Sequence, residues 1–144
     1  MINSDTVKLL KECNSGIKMG VTSIEEVIDN VQDDNFKELL SKNKKEHQEL
    51  GTKTHKLLNE YSESGKEPNA MAKGMSWIKT NLMMSVNGSD NTIADLMTDG
   101  CNMGVKSLNR YLNQYKAADE KTKNITKKLI RLEEKLTAEV QKFL

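Results

Sequence analysis

The sequence predicts an all-α protein, in the form of a four-helix bundle built from two helical hairpins that a short helical crossover joins. Apolar residues recur at spacings of three and four along most of the chain, which is the period of an amphipathic helix. The single proline and the clusters of Gly, Asn, Ser and Asp lie between these stretches and separate them. A short segment near the N-terminus recurs in the second half, which indicates two related hairpins.

One domain is expected over residues 1–144, because this length suits a single hydrophobic core. The first hairpin is predicted over 4–62, the crossover helix over 69–86 and the second hairpin over 90–144. Ser4 is the expected N-cap of the first helix, which is predicted to run through Val31. The second helix is predicted to place these residues inward: Phe36, Leu40, Asn43, His47, Leu50, Thr54, Leu57, Leu58 and Tyr61.

The last predicted helix begins near Asp119 and is expected to have a wholly apolar inward seam. The seam consists of Ile125, Leu129, Leu132, Leu136, Val140 and Phe143. The segment Glu133-Glu134-Lys135 is interpreted as part of a solvated charged face, supported by pairs three and four residues apart. No function follows from such a face.

Charge and hydropathy narrow the classes of partner. The 22 basic and 21 acidic residues nearly cancel and alternate at short range, which argues against a nucleic-acid or membrane-surface partner. No apolar run approaches the roughly 20 residues that span a bilayer, and the first residues lack a secretory pattern. We therefore expect a cytoplasmic protein. Its two cysteines are interpreted as reduced thiols and not as a disulfide framework.

The repeated segment is Cys13-Asn14-Ser15-Gly16-Ile17-Lys18 in the first predicted helix and Cys101-Asn102-Met103-Gly104-Val105-Lys106 in the fourth. Each copy brings a pair of glycines at a spacing of four. A glycine inside a helix costs about 1 kcal/mol relative to alanine and needs a reason. We favour close helix packing, with each cysteine over a glycine of the other helix; the alternative is that the glycines leave room for a ligand. These helix-packing candidates are Gly16, Gly20, Gly100 and Gly104.

The order of helix pair, helical crossover and helix pair resembles the ferritin-like superfamily, and more closely small bacterial ferritin-like proteins related in fold to rubrerythrins. The resemblance also rests on the Cys-x-x-Gly segments at Cys13 and Cys101 and on the segment Gly74-Met75-Ser76-Trp77. It implies a ferritin-like bundle and raises the question of iron. A di-iron centre of that family needs a Glu from two helices and a Glu-x-x-His from each of the other two. Neither His47 nor His55 completes that motif, so this ligand set is absent from the sequence.

An atypical metal site is the alternative, because thiolate and imidazole are suitable ligands for zinc or ferrous iron. The candidate ligands are His47, Cys13, Cys101 and Asn43, all on predicted inward faces. Counting along antiparallel helices places Cys101 near the level of Gly16 to Gly20 and Cys13 roughly 9 Å further along. His47 is then expected near Cys101 only. We favour the interpretation in which the cysteines are small core residues and His47 bonds to Asn43 or to a backbone carbonyl.

The crossover helix gathers Met71, Met75, Met83 and Met84 with Trp77. We favour the interpretation that these residues belong to the core; an exposed patch would instead indicate a homo-oligomer or a protein partner. No phosphate-binding loop, nucleophile elbow or Cys-x-x-Cys is present, which argues against an enzyme. The expected function is a non-catalytic structural or protein-interaction module without a cofactor. The alternative is a metal-binding or redox protein that holds iron or zinc.

Overall fold

The computed structural model describes residues 4–61, 77–85 and 88–144. These residues form five α-helices: α1 (Ser4–Val27), α2 (Asp34–Glu60), α3 (Trp77–Met84), α4 (Asp90–Gln114) and α5 (Glu120–Val140). Short 3₁₀ turns, Ile28–Asn30 and Gln141–Phe143, follow α1 and α5. The all-helical fold class is therefore confirmed for the described residues. Of the predicted crossover helix, 69–76 and 86 lie outside them.

Local chemistry sets the helix ends. Asp33 caps α2 by accepting a hydrogen bond from the Phe36 backbone N–H at 3.0 Å, and Asp119 caps α5 by accepting one from the Thr122 N–H at 2.8 Å. The first helix was expected to continue through Val31, and this is wrong. The α-helix ends at Val27, a 3₁₀ turn follows, and Val31 is buried in an extended conformation.

Two polar links fix the relative direction of α1 and α4. The Asp90 carboxylate, at the start of α4, accepts hydrogen bonds from the backbone N–H groups of Gln32 and Asp33 at 2.8 and 2.9 Å. At the other end, the Asp5 carboxylate accepts one from the Ala117 N–H at 3.0 Å. The start of α4 therefore lies beside the turn that follows α1, and its end lies beside the start of α1. The two helices are antiparallel.

The four long helices pack as two close pairs, α1 with α2 and α4 with α5. α5 also contacts α1 and α2, while the short α3 lies on α4 and α1. The predicted apolar seam of α5 is wrong in one respect. Thr122 and Thr126 on this helix are fully buried, and the side chain of Glu133 is only 12% exposed.

The buried apolar residues form two separate clusters, one toward each end of the molecule. The first includes Ile24, Phe36, Leu40, Met97, Cys101 and Leu136, and the second includes Cys13, Ile17, Leu50, Leu108, Leu129 and Ile130. Between the two clusters, polar and small residues of the four long helices meet, among them Gly20 on α1, His47 on α2, Gly104 on α4 and Glu133 on α5. We call these four residues the central layer.

Candidate functional site

The central layer contains a buried pair formed by His47 and Glu133. His47 Nδ1 lies 3.0 Å from the Asn43 carbonyl oxygen, and His47 Nε2 lies 3.0 Å from Glu133 Oε1. A carbonyl oxygen can only accept, so Nδ1 carries a hydrogen. If Nε2 also carries one, the ring is an imidazolium beside a carboxylate; if not, Glu133 must donate as a carboxylic acid. Either way, the pair holds one more proton than a neutral imidazole and a carboxylate would.

The surroundings favour the imidazolium form. Burial alone lowers the pKa of His47, but the hydrogen bond to Glu133 and the charge of Glu133 act in the opposite direction. The Asn43 carbonyl and the charge of Glu46 add to this effect. The net result is a pKa of His47 raised above its usual 6.5, so the pair keeps its extra proton to a higher pH than a solvated histidine would.

Cys101 joins the same pair from α4. Its thiol is buried, and burial, the charge of Glu133 and a hydrogen bond to Glu133 all raise its pKa, while a hydrogen bond to Thr137 opposes them. Cys101 therefore remains a protonated thiol. A protonated thiol is a weak hydrogen bond donor and a poor nucleophile. The arrangement gives Glu133 two donors, His47 Nε2–H and the Cys101 thiol.

The other two candidate ligands do not share this environment. Cys13 Sγ lies 3.1 Å from Thr126 Oγ1, and burial is the main cause that raises its pKa to about 11. Thr126 precedes Glu133 by two helical turns, which is about 10 Å along α5. Asn43 meets His47 through its backbone carbonyl, and its side-chain Oδ1 is buried without a hydrogen bond partner among the described residues.

The four metal-ligand candidates therefore do not converge: His47 and Cys101 both reach Glu133, whereas Cys13 belongs to the other apolar cluster. In the described ranges, no three side chains of His, Cys, Asp or Glu are arranged to hold a metal ion.

The two copies of the repeated segment lie in different surroundings. Asn14 is buried and Asn102 is exposed, although they occupy the same position in the repeat. Both cysteines approach threonines of α5, Cys13 at Thr126 and Cys101 at Thr137.

The four glycines face side chains other than the cysteines expected there. The nearest atoms to a Cβ placed on Gly20 would be those of the His47 ring, at 2.9 Å, and on Gly100 those of Ile78, at 3.1 Å. On Gly16 the nearest atom would be Leu129 Cδ2 at 3.6 Å, and on Gly104 the Glu133 carboxylate at 3.7 Å. Gly20 and Gly100 are thus tightly packed, while the space beside Gly16 and Gly104 would accept a methyl group.

All four glycines line one cavity of about 270 Å³ between α1 and α4. His47, Cys101 and Glu133 also line it, so the ion pair faces this space. The wall on α1 extends from Glu12 to Ile24, which corresponds to about 18 Å of helix. The remaining wall is mostly apolar and includes Met19, Trp77, Ile78, Met97, Met103, Leu108, Tyr111, Leu129 and Leu136. The site is an elongated, mostly apolar slot with a charged pair at one point of its wall, and Glu12, Ser15, Ser23 and Ser107 supply polar groups elsewhere along it.

Glu133 is the residue that the sequence analysis missed. It was assigned to a solvated face together with Glu134 and Lys135, and for Glu133 this is wrong. A signal was present, because Glu133 lies four residues after Leu129 and three before Leu136. That spacing puts it on the same helix face as the apolar seam.

The methionines of α3 also differ from the expectation of a core position. Met83 and Met84 are 65% and 76% exposed, and Trp77 is 37% exposed. Ile78 and Leu82 supply the buried side of this helix instead. Met71 and Met75 lie outside the described residues.

Comparisons of the chain with protein-family models, with curated proteins and with solved structures find no match. Among the helices that the structure describes, none has an apolar stretch of the length needed to cross a membrane.

Proposed function

We propose that this chain is a non-catalytic helical bundle that binds a small, mostly apolar molecule in the cavity between α1 and α4. The observation that carries this proposal is a half-open cavity of about 270 Å³ whose wall includes a buried charged pair. Protein interiors are close-packed, and an engineered cavity of about 150 Å³ already binds benzene. A cavity of this size accepts a molecule with about twice the volume of benzene.

The glycines support the proposal, because close helix contact explains only some of them. Gly16 and Gly104 leave space for a methyl group, yet each costs about 1 kcal/mol of helix stability relative to alanine. Gly16 on α1 and Gly104 on α4 face the same cavity. The presence of glycine at both positions is explained if these residues widen the cavity for a ligand. The interpretation of the glycines as ligand space is therefore preferred over packing for these two positions.

We also propose that the fold is a ferritin-like four-helix bundle with a helical crossover. The support is the antiparallel arrangement of α1 and α4, which Asp90 and Asp5 mark at opposite ends. Two consecutive hairpins reach this arrangement when the chain between them travels the length of the bundle. In ferritin-like bundles, side-chain ligands project into the bundle core. In this proposal, the central layer occupies the corresponding position.

Metal binding is a second candidate, favoured by the meeting of an imidazole, a carboxylate and a thiol at His47, Glu133 and Cys101. These are ligand types for zinc or ferrous iron. Elemental analysis of protein purified without an affinity tag tests it. Stoichiometric metal that is lost in His47→Ala would support this candidate over an apolar ligand, and metal-free protein from both aerobic and anaerobic preparations would contradict it.

A protein-interaction role, through self-association or a partner, is proposed for the exposed side of α3. Met83 and Met84 supply flexible apolar side chains at its surface. Sedimentation velocity at two protein concentrations tests self-association. A size that does not change with concentration would contradict a homo-oligomer formed in that range.

Ethylbenzene is a suitable probe for the cavity itself. The single tryptophan of the chain, Trp77, lines the cavity, so its fluorescence reports on the ligand directly. We expect a saturable change in Trp77 emission and shifts of the Gly100 and Gly104 amide resonances. Ser107→Leu and Gly104→Leu each fill the cavity and should weaken binding at least tenfold.

Lys106→Leu is the matched control, since it adds the same side chain on an exposed face of α4. It should bind ethylbenzene as the unaltered chain does. Absence of saturable binding, or equal binding by the control and by every cavity-filling variant that folds, would contradict the proposed function.

A further inference from the structure

We infer that the molecule bound in this cavity carries a protonated amine on its apolar body, and that Glu133 receives it. This inference rests on the proposed function and adds the chemical class of the ligand. It follows from three properties of the cavity wall: which polar atoms can still form hydrogen bonds, which charges face the space, and where the carboxylate is accessible.

Beside Glu133, the hydrogen-bonding capacity of the wall points to a ligand that donates. Both ring nitrogens of His47 are engaged, Nδ1 with the Asn43 carbonyl and Nε2 with Glu133 Oε1. The ring therefore has no hydrogen left for an acceptor on the ligand. Glu133 differs, since a carboxylate has about four acceptor sites and the two donors found here, His47 and Cys101, leave capacity for a third.

The geometry leaves Glu133 accessible from the cavity. Its Oε2 lies 3.7 Å from the position of a Cβ on Gly104, in contact range of a side chain that glycine lacks. Gly104 and Glu133 both line the cavity, and the side chain of Glu133 is 12% exposed. A ligand nitrogen that uses this gap can approach the carboxylate that already holds His47.

The charges on the wall favour a cation over an anion. Glu12 and Glu133 are acidic, His47 is the basic partner of Glu133, and neither Lys nor Arg occurs among the described residues that line the cavity. A carboxylate ligand would meet two acidic groups and no free donor on His47. Trp77 and Tyr111 also line the space, and aromatic rings are favourable neighbours of an ammonium group.

Four probes with one apolar body separate the ligand classes: ethylbenzene, 2-phenylethanol, 2-phenylethylamine and phenylacetate. Their dissociation constants for the unaltered chain are measured by calorimetry and by Trp77 fluorescence at low ionic strength. We expect 2-phenylethylamine to bind about tenfold or more tightly than ethylbenzene, since a hydrogen bond to a charged group is typically worth that factor. Phenylacetate should bind most weakly.

Glu133→Gln keeps the shape of the side chain and removes its charge, and Glu134→Gln is the same change at the exposed neighbouring residue. The first should lower the ratio of the affinity for 2-phenylethylamine to that for ethylbenzene about tenfold. The second should change neither affinity. If Glu133→Gln does not fold, the order of the four probes on the unaltered chain decides.

The outcomes distinguish the two proposals. If ethylbenzene binds in the cavity but the amine binds no more tightly, the amine inference is wrong and the proposed function stands. The same conclusion follows if phenylacetate binds most tightly or if Glu134→Gln has the effect expected of Glu133→Gln. If none of the four probes binds, the proposed function itself is contradicted.

Discussion

His47 and Glu133 place a charged pair in the middle of a mostly apolar interior, and the pair makes the stability of the fold depend on pH. Burial lowers the pKa of His47, but the hydrogen bond to Glu133, the charge of Glu133, the Asn43 carbonyl and the charge of Glu46 together raise it above its ordinary value in the folded protein. Its contribution to stability is therefore fully present below the unfolded pKa of 6.5 and is lost as the pH rises through the folded pKa. Glu46 on α2 acts in the same direction as Glu133 on α5.

His47→Gln should lower the free energy of unfolding by about 2 kcal/mol at pH 6, because it removes a hydrogen bond between charged groups. The difference from the unaltered chain should shrink as the pH is raised from 6 to 9. Urea unfolding at several pH values measures it. His55→Gln, at the exposed histidine, is the control and should stay within about 0.5 kcal/mol. A difference that grows with rising pH would contradict the raised pKa.

Two glycines of the central layer should respond in opposite directions to the same substitution. Gly104→Ala should raise the free energy of unfolding by about 0.5–1 kcal/mol, since the new methyl group has room beside Glu133 and alanine favours the helix. Gly20→Ala should lower it by about 1–3 kcal/mol, because the methyl group would lie 2.9 Å from a His47 ring that two hydrogen bonds hold in place. Thermal and urea unfolding of both variants would reveal the contrast; equal effects would contradict it.

At the scale of the helices, Asp90 joins two parts of the chain that are distant in sequence. Its carboxylate accepts two backbone hydrogen bonds from the turn between α1 and α2, at 2.8 and 2.9 Å. Asp90→Ala should lower the free energy of unfolding by about 1–2 kcal/mol, since two N–H groups lose a charged partner. Asp95→Ala, on an exposed turn of the same helix, should cost less than about 0.5 kcal/mol. Equal losses in the two variants would show that the link between α4 and the turn contributes nothing measurable.

The inward face of α2 was predictable because its pattern is regular. Periodicity placed Asn43, His47 and Thr54 on the same face as the leucines, and all three are buried. The face of α5 was only partly predictable. A rule that assigns every glutamate to solvent misplaces Glu133. Its spacing marks the buried face, but its partner is a histidine 86 residues earlier in the chain. Pairing across helices is a tertiary property that the pattern of one helix does not contain.

The crossover illustrates a different limit. Ile78 and Leu82 form the buried face of α3, but periodicity could not decide whether Met83 and Met84 find neighbours. That depends on how much of α4 and α1 the short helix covers, which is set by packing and not by its own sequence. The cavity was beyond prediction for the same reason. Glycines at a spacing of four are compatible with close contact and with a gap, and only the separation of α1 and α4 distinguishes them.

At the scale of the whole molecule, the free energy of local opening should differ between the two apolar clusters and the central layer that lies between them. Cys13 lies in one apolar cluster and is fully buried, with a thiol pKa of about 11. Cys101 lies beside the cavity, where a smaller opening between α1 and α4 would reach it. Thiol labelling in the native state therefore measures global and local opening separately, because only the exposed thiolate reacts.

Single-cysteine variants, Cys13→Ala and Cys101→Ala, make this comparison possible with a disulfide reagent under native conditions. With Cys101 removed, labelling of Cys13 should require global unfolding, so its opening free energy should equal that from urea unfolding of the same variant. With Cys13 removed, Cys101 should react faster than Cys13 does, after correction for the reactivity of each thiol in the unfolded chain.

Ethylbenzene should slow the reaction of Cys101 at concentrations that saturate the change in Trp77 fluorescence. Because every ligand that binds only the folded state also stabilises it globally, protection of Cys101 must exceed that of Cys13 to locate the ligand in the cavity. Equal protection of both thiols would contradict that location.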